Sequence, residues 1–277
     1  MQPVTDPFNE YKARPAVNAS LIKDLLNGGY DVAYTRLVNP PEPTPAFKIG
    51  TLAHSLILEN REDFVNAQDT NLRTKEGKYW KECQEKKGLQ VIKPDTVRDL
   101  YGMRDAVETD DNAHNYLQAC DLREQSFYGK INGTECKARI DALSMDGDTP
   151  ALLCDLKTVA SVDDFERDFY KYGYDLQADF YRILSGNQSA PFVFIVVEKT
   201  APYRVRTYLR DINELANSEY LADIIKVAGK VVRDAEHNSR QFYSVSTSYL
   251  NSPQPTWILD KRENYLHQAL SGLGLTL

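Results

Sequence analysis

No long apolar run occurs in this 277-residue chain. Nothing in it approaches the roughly 20 consecutive apolar residues that cross a bilayer. The opening stretch, MQPVTDPFNEYKARP, lacks the apolar core of a secretory signal. Membrane insertion is therefore not expected, and a cytoplasmic protein is the default reading. Cysteine is scarce as well. Cys83, Cys120, Cys136 and Cys154 are far apart and form no CxxC pair. In a chain this long that argues against a disulfide-built scaffold, and the spacing gives no support to a zinc or iron–sulfur site. Cys136 and Cys154 sit in strand-like patterns that suit them as small apolar residues. An excess of positive charge is also missing. The net charge is −7, which supplies no global field toward nucleic acid. Any such role needs a local basic channel beside an acidic site. Internal repeats, low-complexity tracts and separating linkers are absent too, so residues 1–277 read as one domain.

The composition that remains is that of an ordinary globular protein, 42% hydrophobic and 26% charged. Asn18 and Ser20 are candidate caps for a helix on LIKDLL. NPPEPTP, 39–45, is a loop. FKIGTLAHSLILEN then reads as a mostly buried helix with His54 inside it. Residues 71–88 are polar and basic, with Arg73, Lys75, Lys78, Lys81, Lys86 and Lys87 around Tyr79 and Trp80. Two readings stay open for them: a solvated loop and helix face, or a segment that meets phosphates and stacks on bases. Another amphipathic helix is expected from about Lys93 to Leu117. From residue 122 the period shortens, and REQSFYGKI, TECKARIDALSM and ALLCDLKT read as successive strands. The last two flank Asp146-Gly147, a tight-turn signal. Helical spacing returns over 163–184. PFVFIVVEK and YRVRTYLR form a strand pair, and helices follow over about 212–237 and 261–270. The result is a mixed α/β fold with a central sheet: a helical part over about 15–118, a sheet core over about 119–210 and a helical part over 211–277.

Strand alternation places Lys137, Arg139, Asp141 and Leu143 on one face, and Leu153, Asp155 and Lys157 on one face of the next strand. A hairpin at Asp146-Gly147 brings Asp141 near Asp155 and Lys157. Two carboxylates and a lysine suit metal-assisted phosphodiester cleavage. Carboxylate oxygens bind Mg²⁺, bound water becomes more acidic, and the lysine orients that water or neutralises developing charge. A surface ion pair on an edge strand explains the Asp-x-Lys tripeptide equally simply. Gln177 and Tyr181 share a helix face, with Tyr174 on the same side, though Tyr181 also suits a core position. Glu124 is a candidate third carboxylate and Glu135 its rival. His54 fits either a packed core or a ligand position.

In combination these residues resemble the PD-(D/E)xK nuclease superfamily, and within it the RecE (exonuclease VIII)-type and RecB-like domains. Arg139-Ile140-Asp141, then Asp155-Leu156-Lys157-Thr158, then Gln177 to Tyr181, with His54 upstream in GTLAHSLILE, stand in the family's order. RTKEGK and NASLIKDLL add to the likeness, which runs from about Asn18 to Glu198. Isoleucine precedes Asp141 where the motif's name has proline. The resemblance implies a restriction-endonuclease-like core with a mixed sheet flanked by helices. It implies that His54, Glu124, Asp141 and Asp155 hold or surround Mg²⁺, with Mn²⁺ able to substitute. Lys157 would be the catalytic lysine, and Gln177 and Tyr181 would position the site or the DNA end. Arg73, Lys75, Lys78 and Arg139 are the candidate DNA contacts. The implied activity is 5′-to-3′ exonuclease action on linear double-stranded DNA ends. The 3′ single strands would pass to a RecT-like annealing partner in phage recombination, and the protein would be a ring-shaped homo-oligomer. A sequence-specific or defence endonuclease, or a non-catalytic DNA-binding module, are the competing roles. Iron–sulfur members of the superfamily usually carry a C-terminal cysteine cluster; no cysteine follows Cys154, so no such cluster is expected.

Overall fold

The structure, a computed structural model, describes residues 2–67, 70–210 and 218–237. Helices α1 (Phe8–Ala13), α2 (Ala19–Val38) and α3 (Pro45–Glu59) come first. A small parallel pair, β1 (Phe64–Asn66) and β2 (Gln90–Ile92), brackets α4 (Lys75–Lys86). Helices α5 (Pro94–Thr109) and α6 (Asp111–Ala119) lead into three strands, β3 (Leu122–Ile131), β4 (Thr134–Asp146) and β5 (Thr149–Val159). A 3-10 turn at Val162–Asp164, helices α7 (Phe165–Lys171) and α8 (Tyr174–Ser185), then β6 (Phe192–Glu198), β7 (Val205–Arg210) and α9 (Ser218–Glu236), complete the described elements.

The central sheet has five strands in the order β3-β4-β5-β6-β7. Only β5 and β6 pair in parallel, and that pairing needs a crossover, which α7 and α8 provide. Helices cover both faces. Phe127, Ile140, Leu153, Phe192, Phe194 and Val196 pack against residues of α2, α8 and α9. Ala142, Cys154, Leu156, Val193, Ile195 and Val197 pack against α3, α5 and α6. Coverage on both sides explains why every residue of β6 is buried and why 192–197 is a continuous apolar run without alternation, with Glu198 at its end paired to Arg204.

Local chemistry sets several boundaries. The Asn18 side chain accepts the Leu21 backbone N–H at 2.8 Å and starts α2. Thr44 does the same for Phe47 at 3.2 Å, with Pro45 in the first turn of α3. Two expected helices are each broken in two. Over 93–117 the chain is extended at Asp110, whose carboxylate caps α6 by accepting the Ala113 N–H at 2.9 Å. Over 163–184 the break is at Gly173, which is left-handed at φ 67, a conformation open to glycine at little cost. The pair β1–β2 was not anticipated, because three-residue strands carry no readable period. The helix expected over 212–237 is described from Ser218. The one expected over 261–270 lies outside the described residues.

The side-chain faces of β4 correct a second expectation. Lys137, Arg139, Asp141 and Leu143 do not share one face, since Leu143 joins Ala138 and Ile140 in one core while Ala142 joins the other. The phase changes at Asp141. The β3–β4 ladder pairs Arg123 with Ala142 and Gln125 with Ile140 but skips Glu124–Asp141. Glu124 has a left-handed φ of 52. A non-glycine residue held there costs on the order of 1–3 kcal/mol, and such strain is characteristic of functional positions.

Candidate active site

The interruption in β3–β4 frees two carboxylates from a regular pleat. Pairing between β4 and β5 reaches Ala142–Cys154. Beyond it, Asp141 Oδ2 accepts the Leu156 backbone N–H at 2.8 Å. On α3, His54 Nδ1 lies 3.5 Å from the same Asp141 oxygen. Gly50 lies where α3 comes close to β5: a Cβ there would meet Thr158 Oγ1 at 3.3 Å, a tight contact. Glu124 completes a trio with His54 and Asp141 whose ligand atoms all lie within 4.8 Å of one another. All three are half-buried.

Electrostatics show what the trio lacks. Burial, reinforced by the negative charge of Asp155, pushes the Asp141 carboxyl up to about 8. Burial and Asp141 push Glu124 up to about 7. Burial and the Lys157 cation hold the His54 imidazole below its ordinary value, which favours the neutral form that can coordinate a metal. Two crowded carboxylates and a neutral imidazole, withdrawn from water, form a donor set that fits a divalent cation. Arg139 gives partial compensation, its Nε donating to Glu124 Oε2 at 2.8 Å.

Next to the trio runs a chain of polar contacts. Asp155, only 2% exposed, pairs with Lys157 and accepts a hydrogen bond from Gln177 Nε2. Gln177 Oε1 accepts from Lys23 Nζ on α2 at 2.6 Å. Lys157 Nζ and Lys23 Nζ each lie 4.9 Å from the centroid of the Tyr174 ring. Burial pulls the Lys157 ammonium down, but Asp155 and Asp141 more than offset it and the net shift is upward. Burial and the repulsion from Lys157 outweigh the pull of Asp155, Asp175 and Asp141 on Lys23, and it falls to about 7.

The sequence-predicted residues therefore divide. His54, Glu124 and Asp141 converge as one cluster, while Asp155, Lys157 and Gln177 form the adjoining chain. Asp155 acts on Asp141 through its charge, with its carboxylate held by Lys157 and Gln177. Tyr181 lies on α8 one turn after Gln177 and is 9% exposed. Its ring packs near Phe192, and its phenol is driven well above the ordinary range by burial, with Asp155, Asp141 and Glu124 among the further causes. It is thus both a core aromatic and a neighbour of the site. Glu135 is ion-paired with Lys130 at 3.1 Å on the exposed side of the hairpin, away from Glu124. Arg139 is committed to Glu124 and to Asp6, whose backbone oxygen its Nη1 reaches at 3.0 Å. Arg73, Lys75 and Lys78 are exposed and take no part in the contacts of the cluster. Lys23 went unnoticed in the sequence. It sits among Leu21, Ile22, Leu25 and Leu26 like any solvated lysine on an amphipathic helix, and only its pairing across 154 positions with Gln177 distinguishes it.

A family model described as a PDDEXK-like domain of unknown function (DUF3799) matches residues 19–233. Among solved structures, one described as a "putative exonuclease" from Eubacterium rectale superimposes with a TM-score of 0.58 at 16% identity, covering 94% of this chain and 98% of that one. Another, SSO0001, reaches a TM-score of 0.29 at 13% identity over 83% of this chain and 98% of its own. None of the curated proteins matches in sequence.

Proposed function

The chain belongs to the family of PDDEXK-like domains, and on that premise we propose that it is a divalent-metal-dependent DNA exonuclease acting on linear double-stranded ends. The observation that carries the reading is the convergence of His54, Glu124 and Asp141 beside the Asp155–Lys157 pair. The exonuclease description of the Eubacterium rectale chain adds support for end-directed action. His54, Glu124 and Asp141 would hold the ion, with the charge of Asp155 next to them. Mg²⁺ is the expected ion, and an imidazole among the donors suits Mn²⁺ as well. A bound ion supplies Lewis acidity toward the phosphate and a more acidic water. Lys157, fixed by Asp155 and the Tyr174 ring, orients the attacking water or neutralises charge that develops on the phosphate. Gln177 holds Asp155 in place. Lys23 adds a second cation on the same aromatic ring, where a phosphate oxygen relieves its repulsion from Lys157. The finer reading is 5′-to-3′ digestion leaving 3′ strands for a RecT-like annealing partner, carried out by a ring of subunits in phage recombination.

Digestion of linear duplex labelled separately at its 5′ and 3′ ends, with Mg²⁺, tests this. The 5′ label should be released early and the 3′ label late. The reverse order overturns the polarity. Cleavage of covalently closed circles at the same rate overturns end-directed action in favour of an endonuclease. Failure to cut any DNA with Mg²⁺ or Mn²⁺ favours a non-catalytic binding module.

A further inference from the structure

The turn between α7 and α8 carries an aromatic residue that no part of the chemistry above uses. Tyr172 is 44% exposed, and the left-handed Gly173 follows it directly. Its ring centroid lies 6.0 Å from that of Tyr174, the ring against which Lys157 and Lys23 are both placed. Lys171, itself exposed, places its Nζ 5.0 Å from the centroid of the Tyr172 ring. An aromatic path thus runs from solvent to the catalytic lysine, with one cation at its mouth and two at its inner end. A half-exposed tyrosine contributes little to the core. Aromatic faces interleaved with lysines are what an unpaired nucleotide requires, a ring for the base and cations for the phosphates on either side.

We propose that Tyr172 is a stacking platform for the base of an unpaired nucleotide at the DNA end, which sets the attached phosphodiester beside Lys157 and Lys23. This rests on the nuclease reading and sharpens it. The preferred substrate is an end with an unpaired terminal nucleotide, single-stranded or frayed, over one that is fully paired. The bland alternative, that Tyr172 only covers Tyr174, predicts no dependence on the base.

The test is a binding cycle on the full chain in EDTA, followed by fluorescence anisotropy. The probes are a labelled single-stranded oligonucleotide, the same strand with an abasic terminal nucleotide, and a blunt duplex. Tyr172→Ala should weaken binding of the normal strand about tenfold, the scale of one base–aromatic stack. The abasic strand should bind wild type about as weakly, and Tyr172→Ala should weaken it no further. Tyr172→Trp should restore the normal strand, and the blunt duplex should respond least. Because Tyr172 is exposed, unchanged circular dichroism and melting should show that both variants fold. Equal binding of normal and abasic strands by wild type, or a loss in Tyr172→Ala that is the same for both, overturns the platform. Cleavage by wild type in Mg²⁺ is measured in parallel. Absence of cleavage sinks the nuclease reading and leaves the cycle interpretable, whereas cleavage without coupling sinks the platform alone.

Discussion

Asp155 and Lys157 are two residues apart on β5 and end as an ion pair whose carboxylate is buried and whose ammonium is half-buried. That burial separates a working pair from a solvated one, since surface pairs contribute little. It also governs how the pair should be mutated. Removing one partner leaves the other charge uncompensated, and near-isosteric replacements at least add no cavity to that cost. Asp155→Asn and Lys157→Met should each lower cleavage by about 10²–10³-fold or more while circular dichroism stays native. Full activity in either purified variant would refute the assignment. The trio makes a pH prediction. Asp141 and Glu124 sit near 8 and 7 in the folded chain, against ordinary values of 3.8 and 4.5. A carboxyl raised by folding contributes stability that is complete below its unfolded value and is lost as pH rises through its folded value. The melting temperature of the metal-free protein should therefore fall between about pH 4 and pH 8, and Asp141→Asn should flatten that slope. Mn²⁺ or Mg²⁺ should stabilise more at pH 8 than at pH 5, where protons occupy the carboxylates. Equal stabilisation at both pH values in thermal melts would argue against a metal at this trio. Asp141, Asp155 and Lys157 could be proposed from the sequence, because residue type, period and the ordered likeness to the PD-(D/E)xK pattern together single them out. Their burial was not legible, nor was the role of Lys23, because both depend on which helix lands on which strand.

At the scale of elements, caps and turns were the readable features. Asn18 starts α2 as its residue type suggests, and Asn18→Ala should cost about 1 kcal/mol, measured as a shift in the midpoint of denaturant unfolding. The β4–β5 hairpin closes where expected but one residue later, on Gly147-Asp148, with Asp146 paired to Thr149 and Gly147 left-handed. The breaks at Asp110 and Gly173 were missed because helical periodicity continues across both and outweighs a single residue in any pattern count. The change of phase at Glu124–Asp141 was missed for a deeper reason. Strand alternation assumes an unbroken ladder, and the site is where the ladder breaks. Gly50 links an element to the chemistry. Gly50→Val should push α3 from β5 at Thr158 and displace His54, so metal affinity measured by calorimetric titration should fall. Wild-type affinity in that variant would show that α3 is free to adjust.

At the scale of the molecule, helices on both faces of a mixed sheet create the environment in which few charges can matter much. The net charge of −7 gives no long-range steering, so binding to DNA should depend on local cations such as Lys23, Lys157 and Lys171. Association should weaken with added salt along a shallow slope that reflects only a few phosphate contacts, and a steep slope would point to a wider basic surface, including Arg73, Lys75 and Lys78. The sequence by itself determined the mixed α/β class, the order of the principal strands and the identity of the acidic and basic residues. These depend on local period, turn chemistry and residue type. Only the tertiary structure decided that His54 meets Asp141, that Glu124 and not Glu135 faces them, and that Lys23 reaches Gln177. Those contacts join residues from distant parts of the chain. They are fixed by the packing of α2, α3 and α8 on the sheet, and no local pattern encodes that packing.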